Sequence, residues 1–216
     1  MARRGWNGDR RSKKRTRDAG VRLVAYRLGE RMPDCFDRFA SAIALLACLP
    51  LFAVLVPLIR WTSPGPAFFR QTRVGRDETP FVCYKLRTMA ANTKEAATHE
   101  VSASSVTPVG AVLRRTKLDE LPQLWNVLRG EMRLVGPRPC LPVQTALIEA
   151  RRERGVFSVV PGITGLAQVE GIDMSDPERL ARRDGEYVAE RSLGLDFWIL
   201  WATVCGKGRE DRVRAS

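Results

Sequence analysis

Apolar and polar positions change rhythm several times along the chain. From Phe39 to Ile59 run 21 residues without a charge, FASAIALLACLPLFAVLVPLI, in which Ser41 is the conventional polar side chain. At about 1.5 Å per residue a helix of this length reaches roughly 30 Å, the hydrocarbon thickness of a bilayer. Such a run belongs in lipid, and its soluble alternative is a buried core helix. Pro50 stands at its middle and Pro57 near its end. Each removes a backbone donor, so together they predict a kink. The kinked helix either spans the bilayer or bends back and leaves both ends on one side. Arg31 and Arg38 precede the run, and Arg60, Arg70, Arg73 and Arg76 follow it. With positive charge on both flanks the positive-inside rule selects neither orientation, a symmetry that a re-entrant hairpin would show.

Ser63-Pro64-Gly65-Pro66 then ends the helix. Two apolar runs, Ala67–Phe69 and Pro80–Leu86, flank the polar TRVGRDET and predict a β-hairpin. Residues 90–108, rich in Ala, Thr and Ser, read as a loop or weak helix. Leu118, Leu121, Leu124, Trp125 and Leu128 fall at helical spacing, so the pattern predicts an amphipathic helix over 116–129, with Thr116 and Asp119 forming a capping-box-like start. Leu134–Pro139, LVGPRP, predicts a rigid loop around Arg138, because two prolines fix φ and remove donors. VVPGITGLAQV at 159–169 is turn-rich, and 176–191 reads as a charged helix. Leu193–Val204 carries Trp198 and Trp201 among aliphatics. It is too short to span, and suits either a membrane interface or a helix closing the core.

Composition narrows the class. Charged residues at 28% exclude a polytopic membrane protein, and 44% hydrophobic residues exclude a wholly disordered chain. The formal charge of +12 points to a polyanionic partner. Residues 1–38 hold twelve Lys and Arg against five Asp and Glu, a net of +7, and the stretch RRSKKRTR reads as part of a disordered basic arm. That arm either solubilises the chain or is drawn to anionic lipid. The five cysteines, Cys35, Cys48, Cys83, Cys140 and Cys205, are odd in number and form no C-x-x-C pair, so they read as reduced thiols. The single histidine, His99, lies in a polar stretch and reads as an ordinary loop residue. Chemistry therefore falls to carboxylates, amines and guanidiniums.

Asp119 and Glu120 are the candidates. Adjacent carboxylates at a helix start either serve the helix dipole or do chemistry. Gln123 follows Asp119 by four residues and Glu120 by three, which puts the polar groups in one sector above a Leu/Trp face. One carboxylate can attack phosphorus while its neighbour holds Mg²⁺. Such chemistry needs cationic clamps, and Lys85, Arg87, Arg114, Arg115, Lys117 and Arg138 flank the pair. There is neither a P-loop nor a dinucleotide fingerprint.

The succession SPGPAFFRQTRVG, YKLRTM, LRRTKLDELPQLWNVLRGEM, LVGPRP and PGITGLAQV, behind an apolar segment with a central proline, resembles the bacterial sugar transferases, the small monotopic phosphoglycosyl transferases. The resemblance runs from about Asp34 to Val204. It implies transfer of a phospho-sugar from a nucleoside diphosphate sugar, commonly a UDP-sugar, to polyprenyl phosphate, with release of the nucleoside monophosphate. It implies that Asp119 is the nucleophile of a covalent phosphosugar intermediate, that Glu120 coordinates Mg²⁺, and that Arg138 lies at the nucleotide or phosphates. Arg114 and Lys85 occupy matching positions toward polyprenyl phosphate or diphosphate. It further implies a re-entrant segment bent at Pro50, in the bacterial inner membrane with the catalytic domain on the cytoplasmic face. Val160, Leu166 and Glu170 depart from the family's usual residues, in a region where donor specificity can reside.

The expected fold is α+β, mainly α: a basic arm at 1–33, a proline-broken re-entrant membrane helix at 34–62, a compact catalytic domain at 63–206 with a small β-hairpin and amphipathic interfacial helices, and a polar tail at 207–216. The expected partners are polyprenyl phosphate, a nucleoside diphosphate sugar and anionic lipid, without nucleic acid. The alternative from another class is a non-catalytic, basic, membrane-anchored binding protein, which has no need of the Asp119-Glu120 pair or of the GPRP loop.

Overall fold

A computed structural model describes residues 9–90 and 105–208, with side chains from Cys35 onward. The chain divides into two units, with the boundary in sequence between Phe36 and Asp37. The packing described below is that of the second. Helix α1 is assigned from Asp9 to Thr62, so it takes in residues 9–33 of the segment read as a disordered arm. Arg, Lys, Ala and Leu are good helix formers, and no proline interrupts the sequence before Pro33. The assignment continues through Pro50 and Pro57. Its stretch Cys35–Thr62 is long and apolar enough to cross a membrane. Phe39 and Leu46 are 68% and 66% exposed there, so this is no core helix of a soluble domain.

α1 ends where the sequence breaks it. The Thr62 hydroxyl donates to the Leu58 carbonyl at 3.0 Å, and the Ser63 amide donates to Ile59 at 3.1 Å. The last two turns bury Leu55 and Ile59 against Ala67, Leu86 and Leu113, so apolar packing sets the helix end against the compact domain.

The hairpin forms as expected. β1 (Phe68–Val74) pairs antiparallel with β2 (Pro80–Leu86), in a register that places Phe69 opposite Lys85 and Arg70 opposite Tyr84. The reversal uses positive φ at Asp77 and Glu78 rather than at Gly75, whose φ is −104°. Asp tolerates the left-handed region because its short side chain can bond locally.

The helix expected over 116–129 is divided. α2 (Pro108–Thr116) ends at Lys117, which is left-handed with φ 58°; a 3₁₀ turn spans Leu118–Glu120, and α3 (Gln123–Arg129) starts after Pro122. Proline at 122 is incompatible with an uninterrupted helix interior. The spacing is shared by two short segments: Leu118 packs against the Leu113 cluster and Leu124 is buried, whereas Trp125, expected on the apolar face, is exposed. Thr116 makes no capping box with Asp119; its hydroxyl donates back to Val112 and Leu113. The N-terminal cap belongs to Thr107, whose oxygen accepts from the Gly110 amide at 2.9 Å.

β3 (Arg133–Val135) and β4 (Gly162–Thr164) form a parallel pair that sequence patterning did not predict, since strands of this length show no period. α4 (Thr145–Glu153), α5 (Leu166–Val169), α6 (Pro177–Glu190) and α7 (Leu193–Val204) complete the domain. α7 closes the core with one face, as one of its two expected readings has it, and leaves the other face exposed. Ile199 and Ala202 are fully buried with Val135, Leu166 and Tyr187, whereas Leu193, Phe197, Trp198, Trp201 and Val204 are exposed. Residues 91–104, with His99, and 209–216, most of the expected tail, lie outside the described residues.

Candidate active site

The break at Lys117 has a consequence for the carboxylates. A left-handed residue followed by one 3₁₀ turn and a proline folds Leu118–Glu120 inward, and Asp119 and Glu120 become 8% and 7% exposed. Two buried carboxylates need compensation, because a buried unpaired charge is expensive. Glu120 has it. Lys85 Nζ, from β2, donates to Glu120 Oε1 at 2.8 Å, and Arg138 Nη2, from the GPRP loop, donates to the same oxygen at 2.7 Å.

These partners separate the two acids. Burial pushes the Glu120 carboxyl up, but Arg138 and Lys85 together outweigh it and hold the group well below the usual carboxylate range. Asp119 goes the other way: burial and the Glu120 charge push it up to about 6, against the opposing pull of Lys85, Arg138 and Arg114. Neighbouring carboxylates with diverging acidities mark a site built for two roles.

The cations come from separate elements, each pinned. On β2 the anchor is Asn126 of α3, fully buried: its Oδ1 accepts from the Tyr84 amide at 3.2 Å, and its Nδ2 donates to the Val82 carbonyl at 2.7 Å. Arg114 Nε donates to Thr88 Oγ1 at 2.9 Å. α2 reaches Thr88 because Gly110 has no side chain; a Cβ there would lie 2.0 Å from the Thr88 carbonyl oxygen. The loop carrying Arg138 is rigid, as its prolines predict. Gly162 N donates to Pro137 O at 3.0 Å, Arg73 Nη1 to Pro139 O at 3.0 Å and Val74 N to Cys140 O at 2.9 Å.

The structure thus brings Asp119, Glu120, Lys85 and Arg138 together, with Arg114 close enough to act on Asp119 electrostatically. Gln123 is buried in the first turn of α3. Arg87 is placed differently. Its guanidinium donates to the carbonyls of Pro64 at 2.9 Å and Ile59 at 3.5 Å, and to that of Ser63, so it clasps the end of α1. Lys117 reaches the Gly208 carbonyl at 2.9 Å. Pro50 lies on the exposed part of α1, away from the carboxylates in sequence and within an unbroken helix assignment.

Asn126, Arg151 and Asp184 escaped the sequence reading, and Arg73 entered it only as a charge flanking the apolar run; all four are buried. Asn126 had a legible signal, a polar side chain between Leu124 and Val127. Arg151 had none, because RRER looks like any solvated helix face.

A further group joins α1 to the domain. Asp37 Oδ2 accepts from Arg133 Nε at 2.9 Å and the Leu134 amide at 3.4 Å, while Arg133 Nη2 lies 3.6 Å from Asp196 of α7. The Tyr187 hydroxyl donates to Asp196 Oδ1 at 2.8 Å. One guanidinium therefore links the two helices with exposed apolar faces.

The donor set suits Mg²⁺, which binds through one or two carboxylates and takes its other oxygens from water and substrate phosphate. Glu120 supplies one such carboxylate. Among the described residues no cluster of three His, Cys, Asp or Glu forms an all-protein metal cage.

Residues 28–207 match the family model described as bacterial sugar transferase. The chain is 37% identical over 197 residues to the exopolysaccharide production protein ExoY of Rhizobium meliloti, covering 82% of this chain and 85% of that protein. It is 41% identical over 201 residues to the UDP-glucose:undecaprenyl-phosphate glucose-1-phosphate transferase of Caulobacter vibrioides, covering 85% and 75%. With the Escherichia coli protein of the same name it shares 37% identity over 179 residues, 78% of this chain but 38% of that one.

Proposed function

The chain belongs to the bacterial sugar transferase family, and from that membership we propose that it transfers a sugar phosphate from a UDP-sugar to undecaprenyl phosphate. Support comes from the names of relatives such as the Caulobacter protein. The observation that carries the reading is the buried Asp119-Glu120 pair, in which Lys85 and Arg138 share the Glu120 carboxylate and leave Asp119 the less acidic neighbour.

Asp119 is the nucleophile. Its carboxylate oxygen forms a bond to the sugar-bearing phosphorus of the donor as the phosphoanhydride bond breaks, and UMP leaves with that bond's electron pair. An oxygen of undecaprenyl phosphate then attacks the same phosphorus, and the Asp119–phosphorus bond breaks to regenerate the carboxylate. The product is the polyprenyl diphosphate sugar. Lys85, Arg114 and Arg138 offset charge on the phosphoryl groups, which removes any need for histidine. Glu120 would hold Mg²⁺, whose chemistry is to neutralise the phosphates that the Asp119 carboxylate must approach.

Access to the lipid substrate rests on α1. Its exposed apolar stretch adjoins the domain through the Leu55, Ile59 and Leu86 cluster, which supports a position of the carboxylates near headgroup depth. A re-entrant course of α1, bent at Pro50, would keep both ends on the cytoplasmic face of the inner membrane. Detergent- or nanodisc-solubilised protein is to be incubated with undecaprenyl phosphate and a panel of UDP-sugars. UMP release dependent on both substrates is expected; its absence with every donor would overturn the reading.

A further inference from the structure

Behind Arg138 lies an ion pair that none of these steps uses. Arg151 of α4 and Asp184 of α6 are 1% and 2% exposed. Arg151 Nε and Nη2 both donate to Asp184 Oδ2, at 3.0 and 2.6 Å, and its Nη1 donates to the main-chain carbonyl of Arg138 at 2.8 Å. Replacing a buried pair of this kind by apolar residues of similar volume is often neutral or stabilising, so stability alone does not account for it. What the pair adds over apolar packing is a donor fixed in direction. The two bonds to Asp184 set the plane of the guanidinium, and the third bond holds the peptide unit of the residue whose side chain reaches Glu120. Arg73, on β1, grips the next carbonyl, that of Pro139, at 3.0 Å. The main chain at Arg138 and Pro139 is therefore held at two successive carbonyls by two guanidiniums.

We propose that Arg151, oriented by Asp184, is a positioning residue for the transfer reaction: it fixes the Arg138 main chain so that the Arg138 guanidinium meets Glu120 and the donor phosphates. The proposal rests on the sugar-phosphate transfer reading above. It differs from a structural role in acting through one residue.

The test is a double-mutant cycle on the full chain in nanodiscs, read as UMP release. Arg151→Met/Asp184→Leu is made in the wild-type and Arg138→Met backgrounds. Groups that act as a unit are non-additive, so the pair replacement is expected to lower kcat about tenfold in wild type and less than about twofold once Arg138 is gone. Equal fold losses in both backgrounds would show that the pair acts on the fold at large and would overturn the proposal. If the pair-free protein gives no cooperative unfolding transition, Arg151→Lys, which keeps the charge but cannot make all three bonds, takes its place in the same cycle. If wild type turns over no donor, the transfer reading fails separately. The positioning claim is then decided by ¹⁵N NMR of the Arg138 Nε–H signal, identified by its loss in Arg138→Met. A shifted or broadened signal in the pair replacement supports the claim, and an unchanged one overturns it.

Discussion

Arg138 and Glu120 meet at 2.7 Å, although 18 residues, a helix and a strand separate them in the chain. The contact joins two segments that are each rigid for local reasons. Glu120 sits in a 3₁₀ turn between the left-handed Lys117 and Pro122, and Arg138 lies between two prolines. Neither side chain has to be ordered at the moment of reaction, which is how fixed charges assist phosphoryl transfer.

Asp119→Asn tests the nucleophile and the electrostatics together. The wild-type carboxyl, pushed up from 3.8 to about 6, favours folding while protonated. Its contribution is present below the unfolded pKa and lost as pH rises through the folded one. Without added Mg²⁺, Asp119→Asn is expected to be more stable than wild type by roughly 1–3 kcal/mol at about pH 8, converging near pH 4. Chemical denaturation at the two pH values checks this, and a pH-independent difference would count against the buried acid. The same variant should form no trapped phosphosugar adduct; normal turnover would refute the nucleophile.

Glu120→Gln leaves Lys85 and Arg138 facing a neutral amide. Removing one member of a buried charge cluster costs on the order of 3 kcal/mol, so a folded protein with a lower Tm is expected. Its rate should saturate only at higher Mg²⁺ than wild type requires. An unchanged Mg²⁺ titration would remove Glu120 from the metal site.

Gly110→Ala places a Cβ 2.0 Å from the Thr88 carbonyl oxygen, a backbone atom that cannot swing aside. α2 must back away, breaking the Arg114 contact to Thr88. A loss of roughly 2–3 kcal/mol in stability is expected, together with weaker turnover. A neutral outcome in denaturation would mean that α2 does not pack this closely.

Arg133→Met deprives the Asp37 and Asp196 carboxylates of a guanidinium that both approach. A destabilisation of about 3 kcal/mol is expected by detergent-phase unfolding, largely recovered when Asp37→Asn is added, since the first change leaves a buried charge unpaired. Additive losses would show that the pair does not couple.

The re-entrant course of α1 is tested by labelling. Cys35 and Cys205 are exposed, so all five cysteines are first replaced, and single cysteines are then placed at Ala2 and Ser216. Labelling of both from the cytoplasmic side alone is expected; accessibility from opposite faces would show a span instead.

The apolar run, the hairpin and the charged helix α6 were legible because each is a local property: uninterrupted hydropathy, two runs around a turn, and a proline-led helical period. The carboxylate pair and its cations were legible because a motif keeps chemical types at fixed spacing. The sequence alone did not show the division of the helix expected at 116–129, since apolar spacing is the same whether one helix or a 3₁₀ turn and a short helix carry it. Nor could it assign the basic residues. Arg87 clasps the carbonyls that end α1, Arg138 meets a carboxylate, and Arg151 is buried with an acid on another helix. In sequence these are three similar cations in polar surroundings. Their roles depend on which partner lies within about 3 Å, and that was decided only when segments distant in the chain packed together.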